Sequence, residues 1–351
     1  MTIRIAMIGA GLIGRKHIQK IGEHPDFELA GIADVVRDKV AAEFPGVPVH
    51  ADYRAMLEAV RPEAVIIASP NQLHAENGIE CAARGIHFII EKPVTDTVEG
   101  AAELVAAVRK AGVKTLVGHH RRHHAEVARI RELIRDGAIG NLVGISGVWA
   151  TRKAEPYFAA GPWRKEKGGG VILINLIHEI DFMRYAAGEI VAVSAVTSNR
   201  QRGFAVEDTA ACLLEFENGA LGTFLLSDSG VSPWTMEQGL GEAPEFPFSG
   251  QNDYRFVGSM GSLEFPELRQ WFQQDDARDW NHPLISKANF SVRRDPYIAQ
   301  LSHFRDVIRG EAEPVQPVED GARTLIASLA VSEAAASGRR LSIADRYAML
   351  G

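Results

Sequence analysis

The sequence predicts an α/β protein of two domains, in which a doubly wound parallel sheet is followed by an α+β domain with a mostly antiparallel, open sheet. In the first third of the chain, short apolar runs alternate with helical patterns, whereas later strand-like runs are joined by hairpin turns. The chain has 351 residues, and a single hydrophobic core stops growing at roughly 250–300 residues. We therefore expect domains at 1–121 and 122–351, with closing helices that can pack back on the first domain.

Five apolar runs predict the strands of the first sheet. Residues 64–68 are apolar at every position, which is typical of a strand that helices cover on both faces. The other four runs are 3–8, 28–33, 87–90 and 114–117. The helical patterns between the runs lie near 12–23, 35–44, 52–60, 72–84 and 97–111. Because crossovers between parallel strands are right-handed, these elements predict a doubly wound sheet.

The second domain opens with a predicted helix near 124–136 and a strand near 141–150. A glycine turn at 168–170 comes before a helical run to about Ala187. Asn218-Gly219 is a strong hairpin signal between two strand patterns. The remaining predicted elements are strands near 190–198, 206–217 and 220–227, a long loop over 228–253, a hairpin around 260–262, and helices near 296–309 and 317–337.

Composition and charge exclude several classes of protein. Hydrophobic residues make up 46% and charged residues 24% of the chain, which is ordinary for a globular protein. The net charge of −7 disfavours binding to a phosphate backbone, so we expect no nucleic-acid partner. The apolar run at 3–8 is too short for an export signal, and no later run is long enough to span a membrane. Two distant cysteines, Cys81 and Cys212, suit a reducing compartment, so we expect a cytoplasmic protein.

The strongest local signal is a glycine motif, G-x-G-x-x-G, at residues 9–14. The motif follows a buried strand and opens a helix, and Asp34 ends the next strand, twenty positions after Gly14. This context predicts a Rossmann domain that binds a dinucleotide, with the pyrophosphate at the helix N-terminus. The residues of this turn that we assign to the cofactor are Gly9, Gly11, Leu12, Ile13 and Gly14.

Asp34 indicates which dinucleotide binds. A carboxylate accepts hydrogen bonds from the adenosine ribose hydroxyls of NAD and repels the 2′-phosphate of NADP. Val35 and Val36 have no side-chain group that could bind that phosphate. Arg37 is basic and could bind it, so NADP stays an alternative, less favoured cofactor. Asp34 can also cap the next helix, and the two roles can coexist.

Further motifs follow the later strands and surround the second glycine turn. They are Ser69-Pro70-Asn71 with His74, Glu91-Lys92-Pro93, Arg121-Arg122, Trp163-Arg164, and His178 with Asp181. Together with the glycine motif, their order and spacing resemble the glucose–fructose oxidoreductase, inositol dehydrogenase and rhizopine-catabolism (Gfo/Idh/MocA) family over nearly the whole chain.

The resemblance implies an NAD- or NADP-dependent enzyme that oxidises or reduces a carbon bearing oxygen in sugars, polyols or related cyclic diols. It implies that Lys92 lies at the reaction centre, that the nicotinamide ribose lies near Glu91 and Lys92, and that His178 transfers a proton. The residues assigned to the rest of the cofactor are Ser69, Asn71, His74 and Arg164.

Chemistry supports the same two catalytic candidates. Lys92 follows the end of a strand, where open α/β sheets place their ligand crevice, and an ammonium there can stabilise a developing alkoxide. The imidazole of His178 has an ordinary pKa near ~6.5, which suits proton transfer near neutrality. A histidine on an apolar helix is often only a core residue, but the family resemblance favours catalysis. We therefore expect the substrate hydroxyl to bind between Lys92 and His178.

One position departs from the family pattern. Family members commonly carry Asp four residues before this histidine, where this chain has Ile174 followed by Asn175. Asn175 lies three residues before His178 and can share a helix face with it, so we assign Asn175 to the substrate. Because an amide cannot act as a base, His178 and Lys92 must carry the proton chemistry, or the substrate class differs from the commonest one. Asp181 can orient the imidazole or form a structural ion pair.

Four histidines after the fifth strand have spacings that a metal site could use: His119, His120, His123 and His124. Glu126 is the one carboxylate at a suitable offset and no cysteine is near, so we expect no metal. We expect one or two of these histidines to line the cleft with Arg121 or Arg122, and we assign Arg121 to the substrate.

Six aromatic residues fall in or beside predicted loops of the second domain: Tyr157, Trp163, Trp234, Tyr254, Trp271 and Trp280. Aromatic faces suit the C–H faces of a sugar, and they also suit loop packing and subunit contacts. We assign Tyr157 and Trp163 to the substrate and leave the other four open. The free face of an open antiparallel sheet predicts a homodimer or homotetramer.

These inferences predict an NAD-dependent dehydrogenase of carbohydrate metabolism with a small-molecule substrate. One alternative is an enzyme that retains NAD and breaks a glycosidic or C–O bond through transient oxidation. Another is a non-catalytic regulator that senses NAD on the same fold, although the presence of Lys92 and His178 speaks against it.

Overall fold

A computed structural model describes residues 2–242, 246–274 and 279–351. The chain divides into two compact units. The first unit comprises residues 1–124, 294–325 and 347–351, and the second comprises 125–293 and 326–346. The domain limits drawn from the sequence, 1–121 and 122–351, stay a prediction. Within the described residues, no helix combines the length and the apolar character that crossing a membrane requires.

The first unit contains a six-stranded parallel sheet in the order β3-β2-β1-β4-β5-β6. The order reverses between β1 and β4, which is the topology of a doubly wound sheet, so this part of the predicted fold class is confirmed. The two-residue strand β3 was not predicted. The strands are β1 (Ile3–Ile8), β2 (Phe27–Ala33), β3 (Val49–His50), β4 (Ala64–Ile67), β5 (His87–Ile90) and β6 (Thr115–Val117).

The second unit contains a nine-stranded sheet in the order β14-β13-β12-β11-β7-β10-β9-β8-β15. All neighbours pair antiparallel except β7 and β10, which confirms the predicted mostly antiparallel sheet. The strands are β7 (Leu142–Ala150), β8 (Ile190–Ser198), β9 (Thr209–Phe216), β10 (Leu221–Ser227), β11 (Tyr254–Gly258), β12 (Gly261–Phe265), β13 (Arg269–Gln273), β14 (Leu284–Ala288) and β15 (Leu341–Ser342).

Nine of the described α-helices correspond to predicted ones, with ends that differ by a few residues. The α-helices are α1 (Leu12–Glu23), α2 (Arg37–Glu43), α3 (Tyr53–Val60), α4 (His74–Ala83), α5 (Val98–Ala111), α6 (Ala125–Arg135), α7 (Glu155–Ala159), α8 (Ile177–Ala187), α9 (Met236–Leu240), α10 (Pro296–Arg309), α11 (Val318–Ser337) and α12 (Ala344–Tyr347). The short helices α7, α9 and α12 were not predicted. Helix α9 lies inside the segment 228–253, which the sequence predicts as loop. Residues 243–245 of that segment lie outside the described residues.

The core of the first unit forms on the strands that were predicted to be buried. Every residue of β4 is buried, as the uninterrupted apolar run requires. Ile5, Ile32 and Ile66 belong to one buried cluster, which also contains Leu301 and Phe304 of α10. Helix α10, from the C-terminal part of the chain, therefore completes the core of the six-stranded parallel sheet.

Aromatic residues form much of the core of the second unit. Phe182 of α8 is 1% exposed, and its ring centroid lies 4.8 Å from those of both Tyr254 and Phe265. Tyr254, which was expected in or beside a loop, directly follows the predicted loop 228–253 as the first residue of β11 and is fully buried. Its role, left open by the sequence, is therefore in the core. Trp271 lies in β13, whereas Trp234 and Trp280 are 46% and 94% exposed.

We predict that Phe182→Ala lowers the free energy of unfolding by about 3–5 kcal/mol, because it removes a large buried ring and leaves a cavity. Phe290→Ala is the control, since Phe290 is 83% exposed and its change should stay within about 0.5 kcal/mol. Urea unfolding followed by circular dichroism measures both. Equal losses in the two variants would contradict the packing described here.

Candidate active site

The glycine turn at residues 9–14 is built by close contacts that only glycine permits. Gly9 has a φ of +90°, and a Cβ there would lie 2.5 Å from the carbonyl oxygen of Ala68. A Cβ on Gly14 would overlap the carbonyl oxygen of Gly9, so helix and turn pack backbone to backbone. At Gly11, by contrast, a Cβ would meet nothing within 4 Å. The open side of the turn at Gly11 therefore leaves room for a ligand to approach the backbone.

The N-terminus of α1 suits an anion. Gly11 is its N-cap residue, and within the described residues no side chain caps this helix end and no acidic residue lies in its first turn. Its first amide groups and the helix dipole therefore suit phosphate oxygens. Leu12 is 84% and Ile13 37% exposed beside the turn. These features fit a dinucleotide pyrophosphate, as the sequence predicts.

Asp34 follows β2 at the same edge of the sheet. Its Oδ2 accepts a hydrogen bond of 2.7 Å from the amide of Ala10, and its Oδ1 accepts one of 2.9 Å from Val36. The N-cap residue of α2 is Val36, so Asp34 does not cap that helix directly. The side chain of Arg37 donates to the carbonyl oxygen of Val49 at 3.2 Å. The two amide bonds fix the Asp34 carboxylate beside the glycine turn.

His74 connects the turns that follow β4 and β5. Its Nδ1 lies 2.8 Å from the carbonyl oxygen of Pro93, and its Nε2 lies 2.9 Å from that of Ser69. The side chain is fully buried, and burial lowers the pKa of His74 although both carbonyl bonds oppose that shift. Ser69 also donates to Asn77 at 2.7 Å, and Asn71 begins a short 3₁₀ turn. The contacts of Ser69, Asn71 and His74 with a cofactor stay predictions.

Glu91 and Lys92 follow β5, and the peptide bond between Lys92 and Pro93 is cis. The carboxylate of Glu91 is buried, and its Oε1 lies 2.8 Å from Nε2 of His17 on α1. A Cβ at Gly118 would lie 2.6 Å from this carboxylate, so a side chain there would displace it. His17 was missed in the sequence because nothing local marks a residue three positions after Gly14 as the partner of Glu91.

Opposing effects act on the pKa of Glu91. Burial raises the pKa, but the bond from His17 and the positive charges of His17, Lys92 and His120 outweigh it, so the net shift is downward. The carboxylate that lies directly before Lys92 in the chain therefore favours its charged form. Lys92 itself is half-buried at the end of the strand.

The histidines after β6 do not form a regular helix. His120–His123 is a 3₁₀ turn, and α6 begins only at Ala125, so the four histidines do not lie on one α-helix. The rings of His120 and His124 nevertheless lie 6.4 Å apart. The ring of His120 stacks on Tyr297 at 4.6 Å. Burial, with nearby positive groups, lowers the pKa of His123 to about 3. Arg121 is only 3% exposed. Its predicted contact with the substrate and the expected absence of a metal both stay predictions.

His178 and Asn175 lie near the start of α8 in the second unit. The helical run predicted up to Ala187 begins with a π-helical turn, Ile172–Leu176, and π turns occur frequently at functional sites. Asn175 and His178 are both half-buried, whereas Ile172 and Leu176 of the same turn are buried. Both candidates are therefore partly accessible in the second unit.

Tyr157, Trp163 and Arg164 pack together in the second unit. The guanidinium of Arg164 lies 4.0 Å from the centre of the Tyr157 ring and 5.4 Å from that of Trp163. Arg164 also donates a hydrogen bond to the Tyr157 carbonyl oxygen. Trp163 is 53% exposed, and burial raises the pKa of Tyr157. The assignment of Arg164 to the cofactor and of the two aromatic residues to the substrate stays a prediction.

Lys153 is a candidate that the sequence analysis missed. Its Nζ donates to Oδ1 of Asn175 at 2.6 Å. It also lies 3.7 Å from Oδ2 of Asp228, whose other oxygen accepts from Arg202 at 2.8 Å. The only local signal was a basic residue three positions after the end of strand β7, and such residues are usually solvated.

The buried pair of Glu91 and His17 predicts a pH-dependent stability. The folded pKa of Glu91 lies below its ordinary value, so the pair stabilises the fold above the unfolded-state pKa, near ~4.3, and loses this effect as pH falls through the lower folded value. At pH 7, Glu91→Gln should lower the free energy of unfolding by about 1–3 kcal/mol. This loss should shrink on acidification in denaturant titrations. Exposed Glu99→Gln is the control, and a loss for Glu91→Gln that stays constant with pH would contradict the pairing.

Family comparisons match most of the chain. Residues 3–119 match the Gfo/Idh/MocA family described as an oxidoreductase family with an NAD-binding Rossmann fold, and residues 127–264 match the Gfo/Idh/MocA C-terminal domain. The two matches together cover well over half of the sequence and agree with the two sheets.

Curated relatives are named as oxidoreductases, dehydrogenases and reductases. The chain is 32% identical over 225 residues to the uncharacterized oxidoreductase YrbE of Bacillus subtilis, covering 61% of this chain and 64% of the relative. It is 33% identical over 232 residues to the inositol 2-dehydrogenase of Arthrobacter sp., covering 63% and 65%. The chain thus spans slightly less than two thirds of the length of these relatives. It is 29% identical over 288 residues, 80% of either protein, to the 1,5-anhydro-D-fructose reductase of Ensifer adhaerens.

Solved structures share the fold over almost the whole chain. An oxidoreductase from Agrobacterium radiobacter in complex with NAD+, L-tartaric acid and magnesium has a TM-score of 0.83 at 19% identity, covering 99% of this chain and 100% of that one. The WlbA dehydrogenase of Bordetella pertussis, in complex with NADH and UDP-GlcNAcA, has a TM-score of 0.77 at 22% identity, covering 97% and 99%. At these identities the likeness shows the fold alone. With the family matches, it follows that the chain belongs to the Gfo/Idh/MocA oxidoreductase family and that its first unit contains an NAD-binding Rossmann domain.

Proposed function

We propose that this protein is an NAD-dependent dehydrogenase that transfers hydride between the nicotinamide and a hydroxyl-bearing carbon of a sugar, polyol or related cyclic alcohol or acid. The observation that carries the proposal is the edge of the first sheet. There, the uncapped helix N-terminus at Gly11 and the Glu91-Lys92 turn both follow strands that end at the same side. Ligands of open α/β sheets bind at this side.

NAD supplies the hydride acceptor when it is bound. The amide groups at the start of α1 hold its pyrophosphate, and the fixed carboxylate of Asp34 accepts from the ribose hydroxyls, which favours NAD over NADP. Lys92 donates a hydrogen bond to the substrate oxygen, stabilising negative charge that develops there. His178 accepts the hydroxyl proton in oxidation and returns it in reduction. Glu91 and His17 keep the turn that carries Lys92 in place.

The names of relatives support the substrate class. Besides the inositol 2-dehydrogenase, they include a D-glucoside 3-dehydrogenase of Escherichia coli and a levoglucosan dehydrogenase of Pseudarthrobacter phenanthrenivorans. All three names describe dehydrogenation of a sugar or polyol. We extend this class to the present chain and place the enzyme in carbohydrate metabolism in the cytoplasm.

We further propose that a second copy of the chain covers the exposed face of the nine-stranded sheet. Alternate residues of the central strands are apolar yet exposed on this face: Val196, Leu213, Leu221 and Leu225 are 68%, 58%, 62% and 44% exposed. Three of them, Val196, Leu213 and Leu225, line a groove of about 540 Å³. In a homodimer, two copies of this face related by a twofold axis would pack together and bury these apolar side chains. Two such dimers can form a homotetramer.

The proposed chemistry predicts a large loss of activity in two variants. In a screen of sugars, polyols and their acids with NAD, the wild-type protein should form NADH with at least one substrate. Lys92→Ala and His178→Ala should each reduce turnover about 100-fold or more, the scale of acid–base contributions. Lys39→Ala is the control because Lys39 is exposed. Near-normal turnover in Lys92→Ala would remove the proposed mechanism, and loss of a leaving group without net NADH would indicate the lyase-type alternative.

The proposed interface predicts that charge on the sheet face dissociates the assembly. Leu213→Glu combined with Leu225→Glu places carboxylates on the exposed face and should convert the oligomer into monomers, as measured by size-exclusion chromatography with light scattering. Val231→Glu is the control, since Val231 is 86% exposed and lies outside this groove. A wild-type monomer, or a double variant with the wild-type mass, would disprove the interface.

A further inference from the structure

The hydrogen bond between Lys153 and Asn175 joins two residues that follow different elements of the second unit. Lys153 comes shortly after β7, and Asn175 lies in the π-helical turn before α8. The ammonium nitrogen lies 2.6 Å from Oδ1 of the amide. Asn175 is half-buried, as is His178 three residues later. The bond therefore lies close in the chain to the proposed proton acceptor.

Lys153 is held more firmly than an ordinary surface lysine. Its amide donates to the carbonyl oxygen of Asp228 at 2.9 Å, and its carbonyl oxygen accepts from Arg202 at 2.9 Å. Its ammonium lies 4.8 Å from the centre of the Tyr157 ring, and only 12% of the side chain is exposed. Because backbone and side chain are both fixed, the position of the positive charge is set by the fold.

The ammonium decides how the amide of Asn175 is oriented. An ammonium has only donors, so the group that faces it must be the amide oxygen, and the NH₂ group of Asn175 then points elsewhere. A hydrogen bond from a cation also polarises the amide, which strengthens the donors on its nitrogen. The NH₂ group of Asn175 can therefore donate hydrogen bonds to a ligand, and the ammonium of Lys153 adds a nearby positive charge. An aspartate at this position would instead accept hydrogen bonds.

We propose that Lys153 is a positioning residue that makes Asn175 a recognition group for a carboxylate on the substrate. This inference rests on the proposed dehydrogenase function and narrows its substrate class to hydroxy acids, such as sugar acids or cyclic hydroxy acids. A carboxylate accepts strongly from a polarised amide and is attracted by the ammonium, whereas a hydroxyl gains only a neutral hydrogen bond. The carboxylate of Asp228 lies 3.7 Å from the Lys153 ammonium but only 2.8 Å from the Arg202 guanidinium. Asp228 therefore pairs more closely with Arg202 than with Lys153.

The test compares acids with matched neutral compounds. The pairs are gluconate and sorbitol, glucuronate and glucose, and quinate and myo-inositol. For each compound, NADH formation gives kcat/KM, and the thermal shift of the protein with NAD present reports binding without turnover. We expect the wild-type protein to prefer the acid of at least one pair by about tenfold or more, the difference between charged and neutral hydrogen bonds. Lys153→Met should abolish this preference mainly through KM, and Lys153→Arg should restore part of it.

Asn175→Asp provides a second variant with the opposite prediction. The new carboxylate would pair with Lys153 and present acceptors, so the preference should move from the acid towards the neutral compound of the pair. Lys287→Met is the control because Lys287 is exposed on β14, and it should leave the preference unchanged. The melting temperature of each variant shows whether it is folded, so that loss of structure is distinguished from loss of recognition.

The outcomes separate this inference from the function on which it rests. Turnover of neutral compounds as fast as their acids would overturn the inference and leave the dehydrogenase in place. Acid binding without turnover, lost in Lys153→Met, would support the inference and overturn the dehydrogenase. No turnover and no stabilisation by any acid would overturn both. A preference for acids that is unchanged in folded Lys153→Met would show that other groups recognise the carboxylate.

Discussion

The close packing of the first helix on the turn before it is the contact on which the dinucleotide site depends. Gly14 has no room for a side chain because a Cβ there would overlap the carbonyl oxygen of Gly9, and Gly9 itself is pressed against Ala68. These contacts hold α1 and β4 against the end of β1, so that the first amides of the helix open at the carboxyl edge of the sheet. Asp34 and the Glu91-Lys92 turn follow strands that end at the same edge. One backbone contact thus organises the proposed cofactor site.

The regular parts of this fold could be predicted because their signals are local. Strand β4 is apolar throughout, and the hairpin at Asn218-Gly219 has the residues that its turn demands. The two-residue strand β3 is too short to show a period, and Tyr254 follows a segment whose composition resembles a loop. The π-helical turn at Ile172–Leu176 was missed because helical periodicity assumes α geometry. In each case the local pattern is too short, or too similar to that of another element, to show the structure that forms.

Only part of the candidate site could be predicted from the sequence. The glycine motif and the residues that directly follow strands could be located, because the topology of a parallel sheet brings those positions to one edge. The side chains that hold these residues in place could not be predicted. His17 reaches Glu91 across 74 positions, and Lys153 reaches Asn175 across 22, so neither pairing has a sequence signal. Both partners hold a polar group in one orientation, which is the kind of support that a pre-organised site needs.

The central claim is that the open side of the glycine turn receives NAD, and isothermal titration of the wild-type protein and of Gly11→Val with NAD tests it most directly. Gly11 has a φ of −66°, and a Cβ there meets nothing within 4 Å, so there is room for the side chain to begin, and the melting temperature shows whether the valine variant keeps the fold. The account predicts one NAD per wild-type chain, and a variant with an unchanged melting temperature and no measurable NAD binding. A wild-type protein that fails to bind NAD, or a variant that binds it equally well, would contradict the account.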